Sequence, residues 1–221
     1  MKNILHIFLI SCFSLTVISC AREDHEHDST ANTTPDTTTI NFVGGAASGF
    51  ILTSADGTNW TLRETAATNA IYDVIYANSK FVAAGHDGVI LNSSDGTSWD
   101  NRTSGTSKAL TDVTYGNSKF VAVGYDGVIR TSSNGTSWDN STSGTSEVLR
   151  DVTYGNSTFV TVGDSGTILT SSEGTSWDNR TSGTVRNILG VQYVNSTFVA
   201  VGRGGLILTS ADGTTWTSIT T

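Results

Sequence analysis

Proline is almost absent from this chain, with Pro35 standing alone among 221 residues. Cysteine is scarce as well: Cys12 and Cys20 are the only two, and both lie near the N-terminus. A disulfide-stapled scaffold is thereby excluded, and the domain must rest on a buried core, which a chain of this length can build. No apolar stretch is long enough to span a bilayer comfortably; the longest, from Ile4 to Ile18, is short and only mostly apolar. No segment carries a helical hydrophobic period. Basic residues are few too, with 12 Lys and Arg against 20 Asp and Glu and a net charge of −8. Residues 41–221 hold 10 basic and 15 acidic side chains, a net of −5. Without a basic patch to neutralise phosphates, nucleic-acid binding is excluded.

The sequence is rich in one thing, a repeat. The five tryptophans are Trp60, Trp99, Trp138, Trp177 and Trp216, and each follows the last by 39 residues. Each closes a related phrase: SADGTNW, SSDGTSW, SSNGTSW, SSEGTSW and SADGTTW. A fixed period of this size means stacked copies of one supersecondary unit. One copy starts at Asp112 and reads DVTY, a Gly-Asn-Ser turn, FVAVG, a Gly-Tyr-Asp-Gly turn, VIRTSS, an Asn-Gly turn and SWDNST. Short β-rich stretches joined by two- or three-residue turns with Gly and Asn are hairpin chemistry. Phe120 to Gly124 has no polar face, which fits a sheet covered on both sides. The fold expected is therefore all-β: a β-propeller of about five four-stranded antiparallel blades of 39 residues. The tryptophans pack between blades.

The first copy is imperfect. NFVGGAASGFILTSADGTNW matches only the last three strands, and the segment before it is polar and contains Pro35. Either Thr37 to Ile40 adds a poor inner strand, or the first blade has three. The last copy stops at its fourth strand with no polar capping element, so closure of the ring by one chain is expected over an open solenoid.

The N-terminal segment reads as an address. Lys2, an apolar run and the ending Val17-Ile18-Ser19-Cys20 form a secretory signal over residues 1–19. The ending resembles the lipobox of bacterial lipoproteins, which implies cleavage before Cys20, acylation of that residue and a membrane anchor. The acidic residues after it resemble the surface-export signals of some lipoproteins. Together these imply the cell envelope, at the outer membrane or cell surface. Residues 20–39 form a charged, Thr-rich tether that cannot offset its ordering entropy. His25 and His27 stand among Glu23, Asp24, Glu26 and Asp28, but a flexible tether presets no ligand geometry. No metal site is assigned there, and the propeller itself is expected to occupy residues 40–221.

The phrase before each Trp resembles the Asp-box of bacterial neuraminidase-type repeats. The acidic or amide position and the tryptophan are Asp56 and Trp60, Asp95 and Trp99, Asn134 and Trp138, Glu173 and Trp177, Asp212 and Trp216. The spacing from Ser to Trp is one residue shorter than in the usual box. In that family the box is a structural hairpin, so these positions are read as structural. Sialidases carry the same box, but their pattern needs an Arg-Ile-Pro phrase, an arginine cluster and a Tyr–Glu nucleophile pair. Here the phrase is missing, Arg102 and Arg180 share one repeat position, and Tyr76, Tyr115, Tyr154 and Tyr193 share another. No catalytic residue and no cofactor are expected. The repeats are also similar to a photosystem II assembly-factor family, which implies a docking role at a membrane.

Comparing the copies with one another separates two faces. The turns at Asn78, Asn117, Asn156 and Asn195 hardly vary, nor do the Asp-box turns, and both belong to one face. On the other face the copies diverge: Ala47-Ser48, His86-Asp87, Tyr125-Asp126, Asp164-Ser165 and Arg203-Gly204. The candidate ligand-binding residues are His86, Asp87, Tyr125, Asp126, Asp164 and Arg203. The function expected is a non-catalytic, lipid-anchored module that binds a protein or a glycan. Alternatives are an assembly factor for a membrane complex or a sialidase-like hydrolase.

Overall fold

The structure, a computed structural model, describes residues 18–20 and 40–219. Residues 1–17 of the expected signal, the tether at 21–39 with its two histidines and Pro35, and the last two residues lie outside the described ones.

Five four-stranded antiparallel sheets follow one another, each in simple meander order. The second sheet has an inner strand Ile71–Ala77, then Lys80–Gly85, Ile90–Ser93 and an outer strand Asp100–Arg102. The third runs Leu110–Gly116, Lys119–Gly124, Ile129–Ser132 and Asp139–Ser141. The fourth runs Leu149–Gly155, Thr158–Gly163, Ile168–Ser171 and Asp178–Arg180. The fifth runs Ile188–Val194, Thr197–Gly202, Leu206–Ser210 and Thr217–Ser218. The first sheet takes Phe42–Gly45, Ile51–Ser54 and Thr61–Arg63 from the repeat, and its inner strand is Ile18–Cys20. Neither sequence expectation for that strand anticipated this. Ile18–Cys20 pairs with Phe42–Gly45 in register, Cys20 opposite Phe42 and Ile18 opposite Gly44, and so supplies the backbone hydrogen-bonding groups that this strand's edge requires.

The turn between inner and second strands is tight because two successive residues take positive φ, for example Asn117 at 43° and Ser118 at 59°. Two left-handed residues match the right-handed twist of the flanking strands. The inner strand carries a bulge near its start in the second to fifth sheets: Tyr72, Thr111, Arg150 and Leu189 are skipped in the pairing with the second strand. A bulge leaves one residue unpaired and re-aims its side chain.

The core is not inside a sheet but between sheets, in four clusters. Val43 and Ile51 of the first sheet meet Phe81, Ala83, Leu91 and Trp99 of the second. Val82, Ala84 and Ile90 meet Leu110, Phe120 and Ala122 of the third. Val121, Val123 and Ile129 meet Leu149, Phe159 and Leu169 of the fourth. Val160, Val162 and Ile168 meet Ile188, Phe198, Ala200 and Leu208 of the fifth. Each sheet thus has a front face toward its successor and a back face toward its predecessor. On the back face a Phe stacks between a Tyr and the repeat Trp, as with Tyr115–Phe120 at 4.6 Å and Phe120–Trp138 at 6.4 Å. Trp99, Trp138, Trp177 and Trp216 pack between sheets as expected, Trp99 most deeply at 9% exposure, while Trp60 lies on the back face of the first sheet, outside the four clusters.

Among the described residues no comparable packing joins the fifth sheet to the first. The expectation of a ring closed by one chain is corrected here. The front face of the fifth sheet, with Val199, Val201 and Ile207, keeps part of its apolar surface exposed.

Candidate functional site

The box turns close on themselves. Ser54 Oγ accepts the N–H of Gly57 at 2.9 Å, and Asp56 Oδ1 accepts those of Thr58 and Asn59 at 2.8 and 2.7 Å. Trp60 Nε1 donates to the Gly57 carbonyl at 3.1 Å. These donors hold the Asp56 carboxyl well below the usual carboxylate range, and Asp95 and Asp212 are held down in the same way. Asn134 Oδ1 accepts the same two turn N–H groups, from Thr136 and Ser137. Glu173 differs, because one more methylene carries its carboxylate out of the turn. Its Oε2 accepts from Asn117 Nδ2 of the third sheet at 3.3 Å. Trp138 is the tryptophan whose Nε1 finds no partner; the carbonyl it would use, Gly135, accepts Asn92 Nδ2 at 3.2 Å.

The two conserved turns do share one face, and there they lace adjacent sheets together. Lys80 Nζ donates to the Asn134 carbonyl at 3.1 Å, Asn117 Nδ2 to Ser172 at 3.0 Å, and Asn156 Nδ2 to Ala211 at 3.3 Å. Arg63, Arg102 and Arg180 are also structural. Each donates Nε to the neighbouring strand, to Thr53 Oγ1, Asn92 Oδ1 and Thr170 Oγ1.

The opposite face carries the divergent loops. Each is a short turn docked on the connection from the previous sheet: His86, Tyr125, Asp164 and Arg203 donate their N–H to Ala70, Ala109, Val148 and Asn187, all at 2.9 Å. The backbone is therefore the same four times while the side chains differ. The second loop position is less free than the sequence suggests. Ser48, Asp87, Asp126, Ser165 and Gly204 all have positive φ, between 54° and 68°. Asp and Gly tolerate that region, which accounts for Asp87 and Asp126 without any ligand.

His86 and Tyr125 are exposed, the tyrosine at 45%. His86 Nδ1 lies 2.9 Å from Asp87 Oδ1, and Lys108 Nζ lies 2.6 Å from Asp126 Oδ2. Two further residues join them from the bulge. Tyr72 meets His86 edge-on, with ring centroids 6.2 Å apart. Burial, then Tyr125 and Asp87, push its phenol up. Arg150 grips Asp164 with both Nε and Nη2, which raises the guanidinium further, and Tyr125 lies within electrostatic reach. Tyr72, His86, Tyr125, Arg150 and Asp164 thus form one row across three sheets. Arg203 stands apart on the fifth. Tyr72 and Arg150 were missed from the sequence, though the variation at their shared position (Tyr72, Thr111, Arg150, Leu189) was a usable signal. An open depression of about 720 Å³ lies between the loop at Ser165–Gly166 and the connection from Arg180 to Arg186, lined by none of the row's side chains.

A second row was also missed. Asp73, Asp112 and Asp151 each reach forward to the next inner strand, where Oδ2 accepts the N–H of Val113 at 3.1 Å, Val152 at 2.7 Å and Val191 at 2.7 Å. Their carboxyls are hydrogen-bonded in series with Asp112 in the middle. Burial pushes Asp73 up, and burial followed by its two acidic neighbours pushes Asp112 well up. In the fifth sheet this position is Gly190.

No protein-family model matches the sequence, and no curated protein does. Solved structures do resemble it. YCF48 bound to D1 peptide matches with a TM-score of 0.60 and 18% identity, over 80% of this chain and 63% of that one. The computationally designed Ika8 protein matches with a TM-score of 0.67 and 17% identity, over 90% of this chain and 59% of that one. An ancestral GH74 enzyme matches with a TM-score of 0.69 and 15% identity, over 93% of this chain and 31% of that one. At these identities the likeness is one of fold, and the chain spans less than two thirds of each neighbour's length.

Proposed function

We propose that this chain is a non-catalytic β-propeller-type binding or assembly module whose divergent face holds a segment of a protein partner. One observation carries the reading: four loops with the same backbone present unlike side chains, and the row Tyr72, His86, Tyr125 and Arg150 combines aromatic surface with hydrogen-bond donors. Such a mixture suits a polypeptide, with rings for apolar side chains and donors for carbonyls. The likeness to YCF48 bound to D1 peptide supports a peptide over a glycan. A non-catalytic role is supported by the internal use of Arg63, Arg102 and Arg180 and by the tyrosines stacked on core phenylalanines.

Anchoring at Cys20, in the outer membrane or at the cell surface, belongs to the same reading. Cleavage before Cys20 removes Ile18 and Ser19 from the inner strand of the first sheet. Palmitate labelling that persists in Cys20→Ala contradicts the anchor. The binding face is tested by recovery of partners from detergent-solubilised membranes. His86→Ala with Tyr125→Ala lowers recovery sharply, while Asn117→Ala on the other face does not. Asp164 is spared, because its loss would strand Arg150 and mix stability with binding. Recovery that is unchanged in the first variant and lost in the second refutes the assignment.

A further inference from the structure

Three of the four junctions share one construction. A valine on the front face of one sheet receives the box turn of the next: a Cβ on Gly135 would come within 3.0 Å of Val82, on Gly174 within 2.9 Å of Val121, and on Gly213 within 3.0 Å of Val160, whereas at the first junction Gly96 meets Ile40. Beside each valine an isoleucine, Ile90, Ile129 or Ile168, is fully buried. The fifth sheet has the same residues, Val199 and Ile207, with surface left over.

The other end mirrors this. The back face of the first sheet carries Phe42, Leu52 and Trp60, the counterparts of Phe81, Leu91 and Trp99, and all three keep part of their surface. At the rim, where the interior sheets place Asn101, Asn140 and Asn179, the first sheet places Leu62, 52% exposed. The two free faces are therefore the two halves of a junction that the chain already builds three times. Alone, each is an apolar patch; together they complete a known interface.

Two substitutions at the fifth sheet say what it receives. Val194 stands where the second, third and fourth sheets have Ala77, Gly116 and Gly155. Beside the two glycines the next sheet's tyrosine lies so close that a Cβ would come within 2.0 to 2.1 Å of its ring, while Ala77 packs with Tyr115. Val194 is larger than any residue that meets an interior tyrosine here, and the first sheet has no tyrosine opposite Phe42. Gly190 replaces the forward-reaching aspartate, so no carboxylate is stranded when the face is open. Loss of that link fits a junction that forms and separates.

We propose that the chain assembles end to end, the front face of the fifth sheet in one copy receiving the back face of the first sheet in a second copy. The interface is heterologous, so each added copy leaves one face of each kind free and the assembly grows by single units. This goes beyond the binding reading and uses neither the divergent loops nor the bulge residues.

Sedimentation of the full chain in one detergent buffer tests it with end-blocked variants. Leu62→Lys blocks the back face at an exposed rim position. Thr209→Arg and Val199→Lys block the front face separately, so that misfolding of one, seen in its thermal melt, leaves the other. The wild-type mass rises with concentration beyond two copies. Each blocked variant stays a single copy, and an equal mixture of a front-blocked and a back-blocked variant forms a discrete pair. A wild type that stays single at all concentrations overturns the proposal, whether the face is open or covered by the same chain. So does a mixture that fails to pair, or blocked variants that still associate.

Discussion

Val121 and Val199 occupy the same position of the repeat, in the same strand and with the same neighbours along the chain. Val121 is fully buried because the box turn of the fourth sheet lies on it, whereas Val199 has no sheet in front of it among the described residues. The difference lies in the neighbouring sheet, not in the residue. It shows that the energy of this fold resides at junctions, as in any repeat protein where each unit contacts only its neighbours. Interior and terminal sheets can then be compared directly, because sequence is nearly held constant.

The largest contrast is expected in the aromatic columns. Phe120→Ala empties a fully buried site and is expected to cost about 3–5 kcal/mol. Phe42→Ala acts at the half-open back face of the first sheet and is expected to cost roughly half as much, since less apolar surface is lost from cover. Denaturant melts of the two variants decide this; equal losses would mean that the first sheet is covered.

A smaller effect concerns the acidic row, which links the second to the fifth sheet and stops at Gly190. Asp112 binds its proton more tightly folded than unfolded, so its contribution is complete below the ordinary carboxylate range and is lost as pH rises through its raised value. Asp56, Asp95 and Asp212 act in the opposite sense: their contribution is present above the ordinary value and is lost as pH falls below it. Asp112→Asn keeps an oxygen for the Val152 N–H and removes the charge. The variant is expected to weaken the decline on the alkaline side, leaving the share due to Asp73, and to keep the acid one, measured as Tm against pH. An unchanged alkaline limb would remove Asp112 from the account.

The smallest effect separates the fourth of the tryptophan-closed turns from its counterparts. Glu173→Asp restores a carboxylate of the length that accepts two turn N–H groups in Asp95, at the expense of the contact from Asn117. A gain of about 0.5–1 kcal/mol is expected, the net worth of an ordinary intramolecular hydrogen bond. No gain would mean that the link to the third sheet matters as much as the turn.

The same contrast between interior and end explains how much was legible in the sequence. The strands, the turns at Asn78, Asn117, Asn156 and Asn195, and the phase of the tryptophans repeat, and a repeated position exposes its own structural reason. The openness of the ends was not legible, because Val199 and Ile207 read like their buried counterparts. Nor was the inner strand Ile18–Cys20, whose apolar residues read as part of a signal. Asp73, Asp112 and Asp151 looked like ordinary strand residues, and only the packing of adjacent inner strands reveals them as links. On the candidate face the loop residues His86 and Tyr125 stand out in the sequence by their divergence between copies. Tyr72 and Arg150 do not, since their exposure depends on a bulge that changes no residue count in the repeat. Asp87 and Asp126 also take positive φ, a backbone demand that the sequence did not show.

The central claim is that stability resides at four junctions and that the fifth sheet's front face is open. Val160→Thr and Val199→Thr test it as a matched pair, measured in dilute protein so that copies do not associate. Val160 is fully buried, and a hydroxyl placed there without a partner is expected to cost about 1–3 kcal/mol. At Val199 water can reach the same hydroxyl, and a change within about 0.5 kcal/mol is expected. Equal losses at the two positions would contradict the account, because the fifth sheet would then have a covered front face like the others.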